Sequence, residues 1–194
     1  MRNDSFKNLL KGSAYHRSLL NWTVTVVSVL LCLLALPLRF PGLELAGIGP
    51  NWLLIWVVAW SVKRTVFQGA IAGLVLGLLQ DGMTAPHPTH VLSLIVVGVL
   101  TARLQKQRYI EEDFISVALI VFGMAVLAET VIAIQFSLQK FDGASVQAMR
   151  TLAEIWTYHQ RTALSSAILS SLWAPVVYFP LNRWWEHMGL LEQP

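Results

Sequence analysis

A single cysteine among 194 residues, Cys32, has no partner for an intramolecular disulfide, so no cross-link braces the fold and the redox compartment stays unread. It sits in an apolar run, as lipid-facing or packing filler. Charge is equally scarce. Asp, Glu, Lys and Arg make up 13% of the chain against 55% hydrophobic residues, and a mean hydropathy of +0.57 exceeds what a soluble domain needs to fill a core. A water-soluble globule is excluded, and no polar block is long enough to fold separately on either side of a membrane. HExxH, GxSxG, a phosphate-cradling glycine loop and an intramembrane carboxylate dyad are all missing, so hydrolase and nucleotide chemistry lack their working groups. An enzyme is not expected, nor is any cofactor. The net charge of +3 comes from basic residues standing beside apolar segments in ones, twos and threes, which is a topology signal and not a nucleic-acid patch.

What is present reads as an all-α integral membrane protein, one membrane domain over residues 1–194 with six transmembrane helices. Residues 1–18 form a basic cytoplasmic tail, with Phe6, Leu9 and Leu10 able to rest on the membrane. The spans are expected at about 19–38, 51–62, 65–79, 91–104, 114–138 and 162–179, the last kinked at Pro175. Residues 141–160 are too polar to cross, and Met149, Leu152, Ile155 and Trp156 recur as in a helix lying in the outer interface. Pro50 and Asn51 open the second helix, Asn51 as an N-cap. Trp52, Trp56 and Trp60 share one face of that helix and read as lipid-facing or interfacial aromatics. Glu111, Glu112 and Asp113 mark the entrance of the fifth helix. With the N-terminus inside, cytoplasmic segments hold ten Lys/Arg and outer ones four, so both termini are placed in the cytoplasm.

The third helix is the organising stretch. Gly69, Gly73 and Gly77 recur every four residues and make a smooth groove for another backbone, with Asp81 one turn further on. The groove faces either a helix of its own bundle or one of another protein. Asp81 either caps its own turn, accepting N–H groups around Gly82 to Thr84, or fixes a partner or neighbouring helix. Glu129, inside the fifth span near Thr130 and Gln135, is either an interhelical hydrogen bond, with Gln68 or Ser93 as candidate partners, or a proton or substrate site. His87 and His90 could form a metal site with Asp81, but Pro88 breaks the helical pairing and no further His or Cys stands nearby, so no metal is expected. His16, His159 and His187 read as isolated interfacial residues.

Pro50-Asn51, the Gly73-x-x-x-Gly77-Leu78-x-x-Asp81 end of the third helix, the loop after it and Gly98 in the fourth resemble the bacterial rod shape-determining MreD family. The likeness centres on residues 50–104. Asn51 departs from it where many members carry an acid, and Pro86-His87-Pro88-Thr89-His90 where they have a Gly-containing loop. It implies a bundle resembling the substrate-binding subunit of energy-coupling-factor transporters. It also implies a non-enzymatic scaffold of the elongasome in the bacterial inner membrane, helping to maintain cell shape and organise peptidoglycan synthesis. The implied partner is MreC, with MreB, RodA and a penicillin-binding transpeptidase as further candidates. A homodimer is compatible with the same picture. The alternative function is a small-molecule-binding subunit of a membrane transporter, which would need Asp81 and Glu129 to converge on a ligand-sized cavity.

Overall fold

Short polar side chains set several of the helix boundaries. Asn51 Oδ1 accepts the Leu54 N–H at 3.1 Å and so caps the second helix, as its residue type leads one to expect. Thr65 and Gln68 form a reciprocal capping box at the start of the third: Gln68 N–H donates to Thr65 Oγ1 at 3.3 Å and Thr65 N–H to Gln68 Oε1 at 3.2 Å. Asp113 receives the Phe114 N–H at 2.7 Å where the fifth helix begins. The computed structural model describes residues 2–38, 44–45, 47–84, 89–106, 113–141 and 152–192, so Glu111, Glu112 and His87 lie outside the described residues.

Six helices follow in order: α1 Arg2–Ala35, α2 Trp52–Ser61, α3 Val66–Thr84, α4 His90–Lys106, α5 Phe114–Phe141 and α6 Leu152–Glu192. Four of them contain stretches long and apolar enough to cross a membrane: Ser18–Ala35, Val66–Thr84, Phe114–Leu138 and Leu152–Met188. The chain is a helical membrane protein. Three boundaries differ from expectation. The basic N-terminal segment belongs to α1, which then stops at Ala35 and not Leu38, because Pro37 disfavours helical backbone at Leu36 and lacks the N–H to continue. The third helix carries on past residue 79, so Gln80 and Asp81 stand inside its last turns. Residues 152–160 are not a separate interfacial helix. They are the first turns of α6, a continuous 41-residue helix that contains Pro175 and Pro180. Its buried positions Ile155, His159, Ala163, Ser166 and Ser170 keep one helical register through the supposed break at 161.

The core is built around the shortest helix. α2 has 10 residues, so it is about 15 Å long, roughly half the ~30 Å hydrocarbon thickness. It touches each of the other five helices, and Leu53 through Ala59 are buried all round. The tryptophan stripe therefore corrects the lipid-facing expectation: Trp56 is 4% exposed and donates its Nε1–H to Ser28 Oγ at 2.9 Å. Trp60 stacks on Trp56 at 5.4 Å, Trp185 of α6 meets Trp60 edge-on at 5.1 Å, and Trp173 leans on Trp52 at 5.6 Å. Hydropathy cannot separate the two outcomes, since lipid and protein interior are equally apolar. Asn51 N–H also donates to Ser170 Oγ at 2.9 Å, tying the start of α2 to the middle of α6. Cys32 is buried in this core.

Candidate functional site

Helices α3 and α4 run antiparallel as a hairpin joined through the glycine face. A methyl group built on Gly69 would lie 2.5 Å from the Gly98 carbonyl oxygen, one on Gly73 2.2 Å from the Leu94 oxygen, and one on Gly77 2.5 Å from Val91 Cα. The contact is reciprocal, because a methyl on Gly98 would meet the Gly69 oxygen at 2.2 Å. No L side chain fits these positions without moving the opposite backbone, which is how small residues let membrane helices approach closely. The seam is therefore closed inside the protein, by α4.

Asp81 completes the hairpin at the same end of α3. Its Oδ1 and Oδ2 accept the His90 N–H at 3.0 and 3.1 Å, Oδ2 accepts the Val91 N–H at 3.1 Å, and Oδ1 lies 2.7 Å from His90 Nδ1. These N–H groups open α4 and have no acceptor within it, and the positive end of that helix favours a carboxylate. Asp81 is thus a cap supplied by one helix to the next. Of the two readings of Asp81, the neighbouring helix is the one it engages and not its own turn at Gly82 to Thr84: within a continuing α3 those N–H groups are committed to its backbone, and Thr84 Oγ–H donates to Gln80 O at 2.7 Å. His90 spends Nδ1 on Asp81, and no cluster of three metal-ligating side chains gathers among the described residues.

Glu129 is paired across a different contact. His159 Nδ1 stands 3.2 Å from Glu129 Oε2, with side chains 10% and 14% exposed. The suggested partners are engaged elsewhere, Gln68 in its capping box and Ser93 donating to His90 O at 2.9 Å. His159 escaped recognition as the partner because it was assigned to an interfacial helix. The overlooked signal is the unbroken Ile155, His159, Ala163 spacing. Asp81 thus engages α4 and Glu129 engages α6, and they share no partner.

At the other end of the bundle Lys63 bonds Glu186, which also accepts from Asn182 at 3.3 Å, and Arg64 lies 4.4 Å over the Trp60 ring. The basic turn between α2 and α3 is thereby clasped by α6.

Among known families, the model of the rod shape-determining protein MreD matches residues 16–182. No curated protein and no solved structure matches the chain.

Proposed function

The chain belongs to the MreD family of rod shape-determining proteins, and from that premise we propose that it acts as a non-enzymatic membrane scaffold that holds MreC within the elongation machinery. The observation that carries this reading is the closed α3–α4 hairpin. Its inner face is used up by backbone contact and its loop end by Asp81, so the hairpin is a stiff unit whose outer face is free for lateral contacts. Phe67, Ile71, Leu74, Leu78 and Met83 stand exposed along that outer face. A chain with so little mass outside the membrane works through helices presented to other membrane proteins. In this reading the glycines act on a partner indirectly, by fixing the helix that meets it.

MreB, RodA and a penicillin-binding transpeptidase would then be organised through MreC. The protein would lie in the bacterial inner membrane as a six-span bundle with both termini in the cytoplasm. The transporter-subunit alternative is disfavoured by Asp81 and Glu129 serving different helices, while α2 packs against α3, α4, α5 and α6 between them.

A photoreactive residue at Leu78 tests the scaffold against the same residue at Leu119, on the exposed side of α5. In cells, Leu78 is expected to give a crosslink to MreC and Leu119 is not. MreC captured from Leu119 alone would overturn the assignment to this hairpin.

A further inference from the structure

The contact between α5 and α6 carries a polar pair for which the scaffold has no use. Phe136 stacks on the His159 ring at 5.4 Å and Tyr158 meets it edge-on at 5.4 Å, which holds Nδ1 toward Glu129 Oε2. Glu129 Oε1 has no hydrogen-bond partner among the described residues. The pair opens on a groove of about 110 Å³, walled also by Val126, Thr130, Trp156 and Gln160. A second groove of about 390 Å³, wholly apolar but for Ser171, lies further along the same two helices. Six of the nine α5 residues lining the two, Ile115, Leu119, Phe122, Val126, Glu129 and Ala133, alternate steps of four and three and so share one helix face. From Glu129, Phe122 is about 10 Å and Ile115 about 21 Å along the axis. The two grooves therefore set an acidic end and an apolar end along one helix face, separated by the length of a fatty acyl chain.

Depth agrees with that division. At 41 residues α6 is about 60 Å long, twice the ~30 Å hydrocarbon thickness, so much of it stands outside the apolar layer. Its exposed residues change character at Thr162: before it Leu152, Glu154, Trp156, Tyr158, Gln160 and Arg161 mix polar and apolar, and after it Leu164, Ile168, Leu172 and Val176 are all apolar. The Glu129–His159 pair sits at this changeover on α6, while on α5 Glu129 stands nine residues inside the apolar stretch Phe114–Leu138. A carboxylate beside lipid is costly without a cation or further donors. A primary ammonium matches the remaining features. It brings N–H donors for Oε1, and the Thr130 hydroxyl, whose proton goes to Val126 O at 2.8 Å, has a lone pair to offer. The Trp156 indole, 38% exposed, provides a face for the cation.

We infer that the α5–α6 crevice binds an aminophospholipid, with the ethanolamine ammonium on Glu129 and Trp156 and one acyl chain laid toward Leu119 and Phe122. A trimethylammonium head has no N–H to give Oε1, so phosphatidylcholine should be refused.

The test offers the purified full-length protein an equimolar mixture of phosphatidylethanolamine, phosphatidylcholine and phosphatidylglycerol, and reads retained lipid by native mass spectrometry. Phosphatidylethanolamine is expected to dominate, and Glu129→Gln to reduce its retention about tenfold, the loss of one charge-assisted hydrogen bond. Leu119→Trp, which fills the distant apolar groove and leaves the acidic pair intact, should also displace it. Circular dichroism checks that each variant is folded, and if Glu129→Gln is not, Leu119→Trp decides. Equal retention of the three lipids, a preference for phosphatidylglycerol, or retention unaffected by the folded variants overturns the inference. The result is independent of whether MreC is captured at Leu78.

Discussion

The two most extensive helix pairings solve the same packing problem in opposite ways. In α3–α4 backbone meets backbone: Gly69, Gly73, Gly77 and Gly98 all face a neighbour closer than a methyl group tolerates. In α5–α6 the pairing leaves open grooves lined by side chains, and Gly123 of α5 has nothing within 4 Å of where a methyl would go. Each pairing also sets one acid against an imidazole of the facing helix. Asp81 is held by two backbone N–H groups and an imidazole, whereas Glu129 has one imidazole and, among the described residues, no partner for its other oxygen. A glycine in a membrane helix is thus a seam only where a second backbone occupies the space it leaves. A carboxylate is structural where its acceptor capacity is filled, and available for a ligand where it is not.

Substitutions can break or sharpen this contrast. The largest effect is expected at Gly73→Ala, whose methyl would be driven against Leu94 and Ile95 main-chain atoms. Thermal unfolding in detergent should show a loss of roughly 3 kcal/mol, the upper end for overpacking. An unchanged Tm would mean that the hairpin is not closed in this way. Asp81→Ala comes next, at about 2 kcal/mol, since it removes a charged cap from α4 and orphans its first N–H groups. Hydrogen exchange should locate the loosening at residues 90 and 91, and an effect spread evenly over α3 would contradict the cross-helix cap. Gly123→Ala should be smallest and of opposite sign, a gain of up to about 1 kcal/mol from helix propensity alone. Destabilisation there would reveal a contact on the outer face of α5.

Features governed by neighbouring residues were legible before the structure: the apolar runs, the Asn51 cap and the close-packing character of the glycine face. What lay hidden depends on partners far along the chain. The tryptophan stripe was misassigned because a buried helix and a lipid-bathed one have the same hydropathy, and only five surrounding helices make Trp56 interior. Asp81 was recognised as a cap, but its receiving helix begins nine residues on, beyond the reach of a local turn rule. The sequence offers Gln68 or Ser93 and not His159 as the partner of Glu129, because polarity around 152–160 suggests a helix end. The helix instead continues because its buried face never changes register.

The buried α2 sets a constraint on how the protein is made. A nascent chain releases α2 long before the residue that bonds its first N–H, since Ser170 follows Asn51 by 119 positions. Through that interval this ten-residue segment can pack on α1 and then on α3, α4 and α5 as each emerges, but not on α6. Its permanent place can be taken only after α6 has been synthesised. Biogenesis therefore ends where the structure is centred, and a ribosome halted after α5 would leave the middle of the protein as the part still unassembled.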